Sequence, residues 1–206
     1  MSKRIMLIAA MSKKIEKIPD CDYVGIDRGA LIAVRQQLPL QCAIGDFDSV
    51  SDEEKAEIAA HCPLTELPTH KDETDSEKGI YYALEHGYDE IILYGALGGR
   101  IDHTTANLYL LMHRDLPLIL MDEHHIIMKL QKGSYQLPHR FSYLSFLALE
   151  KTVISESGVA YPLDHRTITP HDIYPISNEI IDEYAEITIH EGSVIVFQCE
   201  DAESAF

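Results

Sequence analysis

The chain contains no tryptophan, so any aromatic stacking on a ligand must come from Tyr or Phe. Basic residues are also scarce: 17 Lys and Arg stand against 34 Asp and Glu, a formal net charge of −17. That balance excludes the usual polyanion binders, whose nucleic-acid surfaces carry basic stripes. A small anionic ligand remains open, provided a metal and a few local bases mask the field. Cysteine offers little: Cys21, Cys42, Cys62 and Cys199 show no C-x-x-C pair and no regular spacing. Metal-thiolate and disulfide frameworks are thereby disfavoured, and a reduced, cytoplasmic compartment fits. No apolar run approaches the roughly 20 residues of a membrane helix. The apolar start, Arg4 to Ala10, is short and is followed at once by Lys13, Lys14 and Glu16. It reads as a first buried strand rather than a leader. Internal repeats and low-complexity stretches are absent.

What is present is enough apolar material for a core, 46% of 206 residues. Strand-like and helix-like runs alternate over roughly the first half of the chain. Strands are expected at Arg4–Ala10, Tyr23–Asp27, Cys42–Gly45, Leu64–Pro68 and Glu90–Gly95. Helices are expected near Ala30–Gln37, from Ser51 to about His61, from Thr74 to Gly87 and from about Asp102 to His113. Ser51-Asp52-Glu53-Glu54 and Thr74-Asp75-Ser76-Glu77 both have capping-box spacing. This alternation predicts a mainly parallel, Rossmann-like sheet with helices on both faces. After Pro117 the pattern changes. Leu118–Met121 and His124–Leu130 read as strands closing a first domain, residues 1–130. Residues 131–206 read as a small all-β, sandwich-like domain, with Glu191-Gly192-Ser193 as a tight hairpin before Val194–Phe197. A unit that small has a thin core, so docking onto the first domain or a second chain is expected.

Acidic residues come in three bursts, Gly45-Asp46-Phe47-Asp48-Ser49, Lys71-Asp72-Glu73-Thr74-Asp75 and Gly98-Gly99-Arg100-Ile101-Asp102-His103. Each sits where a strand-like run gives way to a helix-like one, the junctions that line the ligand crevice of an open α/β sheet. Carboxylates gathered there repel by about 4 kcal/mol per close pair at an effective dielectric near 20. A cation such as Mg²⁺, with phosphate oxygens, would relieve that repulsion. The two glycines before Arg100 allow close backbone approach to a phosphate beside a helix N-terminus, and Arg100 can grip phosphate bidentately. Plainer roles are open too. Asp46 and Asp48 suit Asx-turns, Asp75 suits a first helical turn, Asp102 suits an N-cap, and His103 with Asn107 suits a structural pair on one helix face.

In order, identity and spacing these motifs resemble those of thiamine pyrophosphokinases. So do Gly158-Val159-Ala160-Tyr161-Pro162-Leu163 and Ile176-Ser177-Asn178-Glu179 in the second half. The resemblance implies transfer of the pyrophosphoryl group of ATP to the hydroxyethyl oxygen of thiamine, with release of AMP. It implies Mg²⁺ held by Asp46, Asp72, Asp75 and Asp102, with Asp48 and Arg100 also in the catalytic set. Nucleotide contacts would come from Asp27, Arg28, Lys71, Thr74, Lys78, Gly98, Gly99, His103 and Asn107. Thiamine contacts would come from Tyr161, Ser177 and Asn178. It further implies a homodimer with the active site between subunits, and no nucleic-acid or membrane partner. One departure is visible: the common Asp-Gly-Gly-Ala reads Asp27-Arg28-Gly29-Ala30 here. Arginine at 28 excludes a cost-free left-handed turn at that residue and offers a phosphate clamp instead. Competing readings are a pyrophosphokinase with a pterin acceptor, an aspartyl-phosphate phosphatase, and a non-catalytic nucleotide or thiamine sensor.

Overall fold

Runs of β-branched and large apolar residues bounded by polar turns form strands wherever both faces can be covered. The computed structural model describes residues 3–66 and 73–201. These divide into two units, Met1–Glu123 and His124–Phe206. Lys71 and Asp72, both expected at the site, lie outside the described residues.

The first unit is mixed α/β. Its strands are β1 (Arg4–Ile8), β2 (Cys21–Ile26), β3 (Leu40–Gly45), β4 (Leu64–Glu66), β5 (Glu90–Tyr94) and β6 (Leu118–Met121). They pair in parallel in the order β6-β5-β1-β2-β3-β4. Its helices are α1 (Arg28–Arg35), α2 (Asp52–Ala59), α3 (Asp75–Glu85) and α4 (Ile101–His113). Successive strand residues point to opposite faces, and β3 shows what covers each. Ala43 packs with Ala30, Leu31 and Ile58 of α1 and α2, whereas the Cys42 thiol lies 3.4 Å from the Tyr82 hydroxyl of α3. Helices therefore flank both sides. After β4 the chain returns to the far side of β1, so the strand order reverses around β1. That is a topological switch point, where the carboxyl ends of the strands open a crevice.

Local signals account for most helix starts. Ser51 caps α2 with both bonds of a capping box. Thr74 caps α3 by accepting from the Glu77 N–H, but the Glu77 carboxylate turns to the Tyr81 hydroxyl instead of completing a box. In α4 the N-cap is Arg100. Asp102, a candidate cap in the sequence, instead sits inside the first turn, where a carboxylate opposes the positive end of the helix dipole.

The second unit is all β among its described residues. Strands β7 (His125–Leu130), β9 (Tyr143–Ala148), β12 (Asn178–Glu179) and β14 (Val194–Cys199) pair antiparallel in the order β12-β9-β14-β7. Strands β8 (Gly133–Pro138), β10 (Thr152–Ser157), β11 (Leu163–Ile168) and β13 (Tyr184–Glu191) form a second antiparallel sheet, β11-β10-β13-β8. Both sets face one core, in which Leu144, Phe146, Val194 and Val196 meet Ile154, Ile187 and Ile189. Two expectations change here. The run His124–Leu130 belongs to the second unit, because β7 pairs along its length with β14. The turn at Gly192-Ser193 is no hairpin, since β13 pairs with β10 and β8 while β14 pairs with β7 and β9. It is a corner at which the chain passes from one sheet to the other. There Thr152 Oγ1 donates to the Ser193 carbonyl at 3.0 Å and accepts from the Ser193 N–H at 3.2 Å. A corner and a hairpin show the same inward alternation, so the strand patterns alone do not separate them.

Candidate active site

The ends of β1, β2 and β5, the loop after β3 and the starts of α3 and α4 enclose a cleft of about 450 Å³. It is lined by Asp27, Asp48, Thr74, Asp75, Gly98, Arg100, His103 and Asn107, together with Ala9, Ala10 and Met11 at the end of β1. The switch point thus gathers residues from all three acidic bursts.

Asp27 is the centre of this arrangement. It leaves β2 with φ 45° and ψ −122°, a conformation non-glycine residues rarely hold, and such strain is characteristic of functional sites. Arg28 is already the first residue of α1. The unusual backbone therefore falls on Asp27, and position 28 needs no glycine. Asp27 Oδ1 accepts from the Phe47 N–H at 3.1 Å. Gly45, at φ 145°, passes so close that a Cβ there would drive into the Asp27 carboxylate. Burial pushes the Asp27 carboxyl up to about 6, the negative charges of Asp75 and Asp46 and a hydrogen bond to Asp75 add to the rise, and the Phe47 N–H opposes it. Desolvation and like charge nearby both disfavour the ionised form of an acid.

The other acids are distributed around this pair. Asp75 Oδ1 accepts from Lys78 Nζ at 3.1 Å, and the Lys78 side chain is buried. Lys78 therefore reaches the site through Asp75 and is absent from the cleft lining. Asp46 makes the Asx-turn its position allows, accepting from the Asp48 N–H at 3.1 Å, and it acts on Asp27 by charge rather than by lining the cleft. Asp102 is gripped by Arg100 through two bonds, 3.1 Å from Nε and 2.6 Å from Nη2. Those bonds hold its carboxyl down at about 2. It faces a neighbouring recess with Thr74, Glu77 and Tyr109, and it is Arg100 that enters the main cleft. Among the described residues no three His, Cys, Asp or Glu stand close enough to hold a metal between them.

The remaining candidates separate by the partners they already have. Asn107 is buried and donates to the Ala96 carbonyl at 2.9 Å, which ties α4 to the end of β5. His103 is exposed at the cleft. Gly98 and Gly99 both adopt left-handed φ, 85° and 63°, in the turn before α4. Arg28 donates to the Ser49 carbonyl at 3.1 Å, bracing the loop after β3.

A second cleft, of about 260 Å³, lies wholly within the second unit. Tyr161, Ser177 and Asn178 line it, joined by Glu156 and Tyr174. Tyr161 is 73% exposed, so its ring is presented rather than packed as a core strand residue. Asn178 is nearly buried. Its Oδ1 accepts from the N–H groups of Tyr161 and Glu179, and its Nδ2 donates to the Tyr161 carbonyl and to Glu156 Oε1. An asparagine amide has two donors and one two-lone-pair acceptor, so Asn178 is spent on the chain and holds the Tyr161 turn in place. Glu156 escaped sequence reading. Its inward direction on β10 is set by alternation, but nothing local marks an inward glutamate as functional. Burial pushes its carboxyl up to about 7, against the pull of the Asn178 amide.

The sequence profile of the thiamin pyrophosphokinase catalytic domain matches residues 20–120, and that of the vitamin B1 binding domain matches residues 123–194. The chain belongs to the thiamin pyrophosphokinase family. A thiamine pyrophosphokinase of Bacillus subtilis (strain 168) is 27% identical over 215 residues, covering 97% of this chain and 100% of that protein. A thiamine pyrophosphokinase crystal structure from the same species superposes with a TM-score of 0.86 at 25% identity, over 97% of this chain and 100% of that one. A thiamin pyrophosphokinase family protein of Enterococcus faecalis gives 0.84 at 32% identity, over the same shares. The profiles cover the two clefts: the acidic side chains of the first fall within the catalytic match, and the Tyr161 cleft falls within the vitamin B1 match.

Proposed function

We propose that this chain transfers the pyrophosphoryl group of ATP to thiamine, with its active site completed across a homodimer. The observation that carries the reading is the cleft at the β1 switch point, where Asp27, Asp48 and Asp75 converge with Arg100 and His103 inside the catalytic-domain match. The all-parallel strand order supports a Rossmann-like description of this unit. The thiamine hydroxyl oxygen would attack the β-phosphorus, the bond from that phosphorus to the α-phosphate oxygen would break, and AMP would leave. The hydroxyl proton passes to a carboxylate or to water. Such transfer relies on positioning and on electrostatic stabilisation.

The donor set suits Mg²⁺, which takes one or two carboxylates and keeps several waters. Asp27 lies within the negative charge of Asp75 and Asp46, which a bound cation would offset. Asp46 and Asp75 would hold the metal, with Asp72 the further ligand that the family pattern supplies. When bound, the ion neutralises charge on the phosphate oxygens. Asp102 would join only after Arg100 turns to a phosphate, and until then it aims that arginine. Lys78 holds Asp75 in orientation. Gly98 and Gly99 would admit phosphate to the start of α4, and Thr74, His103 and Arg28 would contact the nucleotide, with Lys71 a further contact that the family pattern implies. Tyr161 and Ser177 would contact the vitamin.

The second unit exposes Tyr161, Ile173, Tyr174, Ile176 and Ile181, which supports coverage by a second copy. No helix among the described residues is long and apolar enough to cross a membrane. Buried thiols at Cys42 and Cys62, joined in no disulfide, support a cytoplasmic setting. Incubation with ATP, Mg²⁺ and thiamine is expected to give AMP and thiamine diphosphate in equal amounts, read by chromatography. Release of ADP, or a hydroxymethylpterin outcompeting thiamine as acceptor, would overturn the assignment.

A further inference from the structure

Among the described residues, Glu156 is the one acid lining the second unit's cleft, beside Tyr161, Leu163, Tyr174, Ile176 and Ser177. It is 95% buried, since only 5% of its surface is exposed. Oε1 accepts from the Asn178 amide at 2.8 Å, whereas Oε2 has no hydrogen-bond partner. A buried carboxylate with an unpaired oxygen costs the fold stability, and an inert core position would be better filled by an apolar side chain. Among the described residues no cation lines the cleft; Arg166, outside the lining, donates to the Tyr174 hydroxyl at 3.0 Å. Across β11 its partner is Leu163 and across β13 it is Ile187; from β12 it meets only the neutral Asn178 amide. The titratable neighbours in the cleft are the tyrosines Tyr161 and Tyr174. A negative charge walled by aromatic and aliphatic groups is a site for an organic cation.

We infer that Glu156 is a positioning and specificity-setting residue for the cationic ligand of this cleft, acting through Asn178 on the Tyr161 turn and through its own charge beneath the ring. The inference rests on thiamine being the substrate, whose thiazolium ring carries a permanent positive charge. Asn178 transmits the position of Glu156: one amide hydrogen goes to the carboxylate and the other to the Tyr161 carbonyl, while its oxygen holds the Tyr161 N–H. The backbone turn that presents the Tyr161 ring is thereby held in place. The carboxylate discriminates between a charged ring and a neutral ring of the same shape.

The sign of the pH effect follows. Ionised Glu156 attracts the cation and protonated Glu156 does not, so affinity rises with pH through neutrality and levels off above it. The test is calorimetric titration of the full-length protein with thiamine between about pH 6 and about pH 8.5, beside an analogue in which a neutral thiophene replaces the thiazolium. Wild-type protein should bind thiamine about three- to tenfold more tightly at the upper limit, with little change for the analogue. Glu156→Gln should abolish that slope, raise KM for thiamine and leave KM for ATP as it was. A slope retained in Glu156→Gln removes the inference while the thiamine reading stands. Should that variant fail to fold, equal slopes for thiamine and the neutral analogue in the wild type remove it as well. A wild-type protein that takes up no thiamine at any pH removes the parent reading and this inference together.

Discussion

Asp27 shows how a single residue carries several constraints at once. It holds a strained backbone, receives the Phe47 N–H, requires glycine at 45 and sits against Asp75. Asp75 and Asp102 serve the same cleft by different means, one through negative charge beside Asp27, the other by clamping Arg100. Asp75→Asn and Asp102→Asn should each lower kcat/KM for AMP release at least about a hundredfold, the loss of roughly 2.7 kcal/mol of charge stabilisation. Thermal melts should stay near that of the wild type, because both side chains are substantially exposed. Activity at the wild-type level in both variants would refute the site. The acids themselves were legible from the sequence. Their division of labour was not, because whether a carboxylate faces metal, arginine or backbone depends on side-chain directions that spacing does not encode. Asn178 makes the same point: its motif suggests contact with the vitamin, but its hydrogen bonds are used within the chain.

Helix starts were the most legible elements, because capping is a local exchange between a side chain and orphan N–H groups a few residues on. In α2 this matters for stability, since Ile58 is its sole buried residue and little packing supports the helix. Ser51→Ala should destabilise the protein by about 1 kcal/mol in urea unfolding and leave kcat unaltered. An unchanged unfolding midpoint would show that α2 is held by something other than its cap. Strand pairing was less legible. The run 125–130 looks the same whether it extends the first unit or pairs with β14, and only the distant partner decides. The Gly192-Ser193 corner is a similar case, for the turn residues specify a reversal and not the sheet that receives the next strand.

At the scale of the whole molecule, the second unit leaves Ile173, Ile181 and Tyr161 more than 60% exposed. Isolated exposed apolar residues are ordinary, but several on a small β unit with a thin core favour a covered surface. Sedimentation should therefore show a dimer at assay concentrations, and activity per chain should fall on dilution below its dissociation constant. A fully active monomer would remove the shared-site proposal. The strong acidity of the chain, −17 overall, also favours approach of a cationic vitamin over free nucleotide, and this preference should weaken with added salt.

By itself, the sequence determined the alternation of elements in the first unit, the caps of α2 and α3, the acidic bursts and their place at strand ends. These are properties of neighbouring residues, written by periodicity and by bonds that span a turn. The tertiary structure alone decided that Asp27 meets Asp75, that Arg100 holds Asp102, that β7 joins β14 and that Glu156 lies buried with one carboxylate oxygen unpaired. Each of those depends on groups far apart in the chain. Their meeting is fixed by how strands pair and cores close, and no local pattern records it.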